Sequence, residues 1–263
     1  MTEHFTLSEA GRGSVVRCVS LFAALLVTSS VVMAASATHS SPRNLASEHT
    51  LSGVWWIENF APQLLPADGS AIPFTANGLQ RYEQNRAGLG NGSIEDLALT
   101  RCLPEVLPRA LNSAYPLQIA QHGKLVTVLH EANHGFWHAL MNGQHPDEDD
   151  IDPTFMGNSV ATWQDNTLVI DTLGFKAKSL LDITGLPHGD QLHVVTRLRK
   201  LSSQQLEALI TIEDPEFFSR AWTVRRSYEL RPDVQLMEFV CGEAHRYLPG
   251  NRRMGVLLNG SAK

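Results

Sequence analysis

Residues His130-Glu131-Ala132-Asn133-His134 place two imidazoles and one carboxylate in the order H-E-x-x-H. On a helix, that spacing turns both histidines toward one zinc ion and leaves the glutamate as base, the arrangement of a zinc-dependent hydrolase. The residues just before it, Leu125 to Leu129, are mostly β-formers, and Gly135 follows at once. The longer metzincin pattern also fails, with Trp137 where its glycine belongs and Leu140 where its third histidine belongs. On a strand, His130 and Glu131 point to opposite faces. The expected arrangement puts Glu131 at the end of a strand beside His134, as a pair that gives and takes protons near neutral pH. A hydrogen bond closing a turn is the competing role for the two.

A second group lies in residues 176–190 and just beyond: Asp182, Thr184, Gly185, His188 and Asp190, then His193. An acid and an imidazole this close can form a base and its orienting partner, and long loops are where sites are commonly grafted. Asp182 and His188 are therefore expected to face Glu131 and His134 across one rim, the four forming the catalytic set. Trp137, Phe136, Phe155 and His193 are expected to contact the substrate, the aromatic residues as walls of an apolar pocket. A solvated polar loop is the plain alternative for the second group. Asp171 interrupts an apolar run, so its carboxylate needs a partner, for which Arg197, Arg225 or a turn amide are the candidates. The acidic run 147–152 lacks the spacing and glycine of a calcium loop. There is no G-x-G-x-x-G after a strand, no phosphate-binding P-loop, no G-x-S-x-G elbow and no C-x-x-C pair, so no cofactor is expected.

These residues have to be positioned by strands. A short helix is predicted over 76–86, with Thr75 as N-cap and Gly88 as stop, after a first strand at 51–59. Prolines 104, 108 and 116 make 101–116 a wandering loop. Strand signals then dominate: 117–121, 124–131, 136–141, 159–163, 167–175, 192–200, 205–213, 221–230 and 234–241, with turn residues such as Asn142-Gly143 and Asp165-Asn166 between some of them. Consecutive strands with short connections form a meander. Roughly eight or more usually close on themselves, because closure removes exposed edges. The fold class is thus mainly β, an antiparallel meander closing into a lipocalin-like barrel with one short helix. A sandwich is the alternative.

Composition agrees with a folded chain: of 263 residues, 43% are hydrophobic and 18% charged. The net charge of -6 argues against nucleic acid as a partner, since phosphate binding needs a basic face. Arg12 and Arg17, the apolar run 19–33 and the small residues Ala35-Ser36-Ala37 read in order as a signal peptide over 1–37. A linker or propiece at 38–49 and a single barrel domain over 50–263 follow. The protein is accordingly expected to be exported, periplasmic or secreted, with no stable membrane insertion after processing. Cys18 leaves with the leader, and Cys102 and Cys241 remain as an even pair for which a disulfide is expected in an oxidising compartment.

The stretch 157–172 reads G-x-S-x-x-x-W-x-x-x-T-L-V-x-D-T, and Asp152-Pro153-Thr154, Gly174-Phe175, Gly185-Leu186-Pro187-His188, Leu192-His193, Asp214-Pro215 and Ala221-Trp222 surround it. In these residues the chain resembles a large group of exported bacterial β-barrel proteins of lipocalin-like architecture, from Leu51 to about Glu243. It departs from the group at Ala161, where glycine is usual, at Asp165-Asn166, often Gly-Asp, and at Trp137, often arginine. The last change makes the site more apolar. In precursor size, leader and lack of cofactor motifs the chain is also similar to the α-pinene oxide decyclase type of lyase. That resemblance implies a cofactor-independent lyase or isomerase that opens a small apolar substrate, such as a monoterpene epoxide, to an unsaturated aldehyde by acid–base catalysis. The other readings are a periplasmic carrier of a small hydrophobic ligand and a zinc-dependent hydrolase.

Overall fold

Alternation of buried and exposed residues drives nine strands together in the computed structural model, which describes residues 50–241. They are β1 (Gly53–Ile57), β2 (Leu117–His122), β3 (Leu125–His130), β4 (Phe136–Met141), β5 (Asn158–Gln164), β6 (Thr167–Leu173), β7 (His193–Lys200), β8 (Gln205–Glu213) and β9 (Trp222–Leu230). They pair in sequence order, and β1 closes on β9. On β7, Val194, Thr196 and Leu198 are buried inside while Arg197 and Arg199 are exposed outside. Fully buried Trp55, Trp137, Ile170, Ile210, Val224 and Tyr228 help to fill the interior. The expected signal peptide 1–37 and linker 38–49 lie outside the described residues. Among the described residues no helix is long and apolar enough to cross a membrane.

The barrel is not an uninterrupted antiparallel meander. Strand direction cannot alternate around a closed ring with an odd number of members, so at least one neighbouring pair must be parallel. That pair is β4 and β5, joined only through Leu140↔Val160 and Met141↔Ala161. To start β5 at the same end as β4, residues 142–157 must travel back along the outside of the wall. The Asn142 N–H donates to Ala161 O at 2.7 Å and the Thr154 N–H to Gly174 O at 3.0 Å, which pins the return to β5 and to the chain after β6. Tight hairpins lie at one end of the barrel. The other end carries the long segments 58–75, 101–116, 174–192 and 214–221, and all the expected site residues are at or near it.

The final strand expected at 234–241 does not form. This segment crosses to other partners: the Met237 N–H donates to Glu131 Oε2 at 2.9 Å, and Cys241 is bonded to Cys102. Linking positions 139 residues apart constrains the unfolded chain by ~5 kcal/mol in the chain-entropy model.

The helix α1 (Ala76–Asn91) begins at the expected N-cap, where Thr75 accepts from the Gly78 N–H, but it runs past Gly88 to a left-handed C-cap at Gly92. Gly88 is a packing glycine, since a Cβ there would lie 2.5 Å from Ile94. α1 leans on the loop that carries the candidate site: Tyr82 Oη is 3.0 Å from Thr184 Oγ1, and Asn85 Nδ2 donates to Gly185 O at 2.9 Å. Its first turn lies against Phe217, where a Cβ on Gly78 would sit 2.0 Å from a backbone oxygen. Replacing Gly78 with alanine should therefore displace the helix despite the better helix propensity, costing ~1–3 kcal/mol of stability. Urea unfolding checks this, and an unchanged or raised midpoint would count against the packing argument.

Candidate functional site

The H-E-x-x-H run is not helical. His130 ends β3 inside the barrel, Glu131 opens a short 3-10 turn (Ala132–His134), and His134 is exposed with positive φ. Glu131 accepts from the Met237 N–H, so its carboxylate ties the end of β3 to a segment 106 residues away rather than closing a local turn. Among the described residues no three His, Cys, Asp or Glu side chains are grouped to hold a metal.

Burial without a charged partner pushes the His130 imidazole down to about 4, with a hydrogen bond to the Ala110 carbonyl opposing the shift. As pH falls from 6.5 toward 4 the unfolded chain takes up a proton that the native state refuses, so stability is present above pH 6.5 and is lost across that window. The loss from this residue is about 3 kcal/mol. Unfolding midpoints measured from pH 7 to 4 should fall, and fall less in His130→Asn.

Asp182 is 1% exposed, and both of its oxygens are occupied. Oδ1 accepts from the Thr184 N–H and hydroxyl at 2.9 and 2.8 Å and from the Leu186 N–H at 3.1 Å, and Oδ2 accepts from the Leu64 N–H at 3.0 Å. This carboxylate shapes the loop and ties it to residues 61–66.

His188 is set differently. It is 6% exposed, and its Nδ1 lies 2.9 Å from Gly189 O. A carbonyl can only accept, so Nδ1 carries the hydrogen and Nε2 presents a lone pair. Ser179 Oγ lies 3.0 Å from Nε2 and so donates to it. Burial lowers the His188 pKa, with the Gly189 hydrogen bond opposing, and this favours the neutral ring that such a geometry needs. Gly189 is held on its other side as well, its N–H donating to Asp214 Oδ2 at 2.7 Å. Burial raises the Asp214 carboxyl, while the N–H groups of Gly189 and Glu216 pull it back. A Cβ on Gly189 would meet Glu216 Oε2 at 2.7 Å and Phe217 at 3.2 Å, so a side chain there would make Glu216 move aside.

Three hollows share lining residues around this loop. One of about 520 Å³ has His188, Ser179, Arg81 and Lys178 in its wall. The next, about 570 Å³, is walled by Leu103, Pro153, Phe155 and Phe175. The third, about 800 Å³, includes Phe175, His193 and Glu213. Asp190 borders all three. Of the eight expected site residues, His188, Phe155 and His193 line these hollows, and Glu131, His134, Asp182, Trp137 and Phe136 do not. Trp137 points into the barrel, where its indole N–H donates to Ser159 Oγ at 2.7 Å. Phe136, the preceding residue on the strand, is 59% exposed outside. Phe155 stands at the cleft with Lys176 Nζ 5.7 Å from its ring centre.

His193 faces outward and solves the pairing of Asp171, although not with an arginine. Asp171 Oδ1 lies 3.0 Å from His193 Nε2 and 3.1 Å from His145 Nε2, and Arg225 is engaged by Glu207 at 2.9 Å. His145 comes from the 142–157 return and also meets Asn158 Oδ1 at 2.8 Å.

Sequence reasoning missed Ser179 and His145. Ser179 is nine residues from its imidazole, a spacing that carries no signal, and His145 stands just before the acidic run 147–152, 26 residues from the Asp171 it meets. The buried Arg109, with Asp96 at 2.8 Å and Glu105 at 3.3 Å, was also missed.

Exchanging Asp182 for asparagine turns one of the two acceptors into a donor that faces an N–H. A loss of ~1–3 kcal/mol is expected in denaturant titration. Any fall in turnover should be recovered at lower temperature, where the folded fraction is restored. No protein-family model matches this chain, and no curated protein sequence matches it.

Proposed function

We propose that the protein is a cofactor-independent lyase or isomerase that transforms a small, largely apolar substrate by acid–base catalysis, with His188 as the base. The observation that carries this reading is the fixed tautomer of His188: its Nδ1–H is turned to Gly189 O, and its Nε2 lone pair, which accepts from the Ser179 hydroxyl at rest, is the basic atom, in the wall of a hollow that adjoins one with an apolar wall. His193 lines the adjoining hollow, which shares Asp190 with the one around His188, and in this scheme it is assigned as the proton donor. Donor and acceptor then act at different points of one substrate.

A monoterpene epoxide such as α-pinene oxide suits this arrangement. Protonation of the epoxide oxygen breaks one C–O bond and leaves a tertiary cation. The strained carbocycle fragments, and loss of a proton to His188 yields an unsaturated aldehyde. Phe155 and Phe175 line the adjoining hollow and help to keep water from trapping the cation. The leader read from the sequence, together with the joined Cys102 and Cys241, supports a site of action outside the cytoplasm, in the periplasm or beyond.

A carrier of a small hydrophobic ligand is the second reading, favoured by the same wall of Leu103, Pro153, Phe155 and Phe175, which needs no chemistry to bind. Incubation with α-pinene oxide and related epoxides, followed by product analysis, separates the two. Turnover should drop ~10²–10⁴-fold in His188→Gln. Because the base must be neutral and its pKa is lowered, the acid limb of kcat should lie below pH 6.5. Binding of these epoxides without conversion would install the carrier in place of the enzyme.

A further inference from the structure

We propose that Ser179 is a nucleophile activated by His188, and that the hollow around them accepts and hydrolyses small carboxylic esters. This goes beyond the acid–base reading above, in which His188 acts on the substrate directly.

The Gly189 carbonyl fixes the proton on Nδ1, so the 3.0 Å contact between Ser179 Oγ and Nε2 runs from the hydroxyl to the ring. A serine that donates to a neutral imidazole is the starting state of base-assisted attack. The ring is held from behind, as nucleophilic catalysis requires, here by a peptide carbonyl whose own residue is clamped to buried Asp214 at 2.7 Å. Ser179 is half-buried and borders a hollow of about 520 Å³, room for a small ester. Arg81 and Lys178 border the same hollow, together with Glu95, Asp190 and Glu216, and are the cationic donors assigned here to a developing oxyanion.

The steps balance without any further reagent. The Ser179 hydroxyl proton moves to Nε2 as Oγ bonds to the carbonyl carbon, and the C=O electron pair moves onto oxygen. That pair returns, the ester C–O bond breaks, and the departing alkoxide takes the proton from Nε2. Water then repeats the sequence on the acyl-serine, releasing the carboxylic acid and restoring Ser179. Burial lowers the pKa of His188, with the Gly189 hydrogen bond opposing, which favours the neutral ring that this step needs.

The test uses the disulfide-bonded protein and p-nitrophenyl acetate, with peptide mapping by mass spectrometry. A burst of p-nitrophenol equal to the protein concentration, with one acetyl group on Ser179, is expected. Ser179→Ala should remove burst and adduct, Ser179→Cys should accumulate a longer-lived acetyl adduct at the same position, and His188→Gln should slow acylation ~10²–10⁴-fold. Mapping on the parental chain decides the matter even where a variant folds poorly. Acetyl groups on lysines alone, or acylation of Ser179 at the parental rate in folded His188→Gln, would overturn the proposal. Epoxide turnover is measured separately: conversion that depends on His188 without any Ser179 adduct sinks the nucleophile and leaves the lyase, and a Ser179 adduct without epoxide conversion does the reverse.

Discussion

A ring of nine strands has to contain a parallel pair, and most of what is distinctive here depends on where that pair falls. Placed between β4 and β5, it obliges the chain to cross from the hairpin end of the barrel to the end with the long loops. The crossing segment arrives with His145 and Phe155, which an ordinary hairpin would have left elsewhere. His145 meets Asp171, and Phe155 becomes part of the apolar wall beside His188. One topological requirement thus brings residues from the β4–β5 connection into the cleft, next to residues from the β6–β7 connection.

Within that cleft, rigidity comes from groups that do no chemistry. Asp182 folds the 182–186 turn around its own oxygens, and α1 braces the turn from outside through Tyr82 and Asn85. Asp214 grips the amide of Gly189, whose carbonyl in turn grips His188. Two buried carboxylates therefore determine where one imidazole stands. Freezing the ring in one tautomer removes a choice that a solvated histidine would have, and the direction of the Ser179 hydrogen bond follows from it.

The wall of the barrel was legible in the sequence because alternation with a period of two is a local signal, so most strands fall within a residue or two of the expected limits. Features set by distant partners were not. Gly88 has the look of a helix stop, yet it is small because Ile94 presses on it. Segment 234–241 has strand-like composition, but its apolar residues and Cys241 answer to residues more than a hundred positions away. At the site, His188 was recognisable as an imidazole in a loop with nearby acids. Asp182 drew attention for the same reason, although its four hydrogen bonds give it a different job. Nothing in the spacing of Ser179 and His188 marks them as neighbours, since the turn that joins them is organised by Asp182. The H-E-x-x-H match misleads because its geometry exists only on a helix, and the β-branched residues before it extend the chain.

The joints of this ring are unequal. Five neighbouring pairs share six to eight register positions, whereas β1 shares three with each of its neighbours and β4 shares two with β5. A closed wall resists bending because load passes around the full circumference, and it yields first where it is joined least. Thermal breathing of the barrel is therefore expected at the sparse joints, those of β1 and the β4–β5 seam, and the last of these runs alongside the segment that supplies part of the cleft. Amide exchange along β4 and β5 would register that motion, and a molecule lodged against Phe155 would damp it, so occupancy of the cleft and tightness of the barrel are two views of one equilibrium.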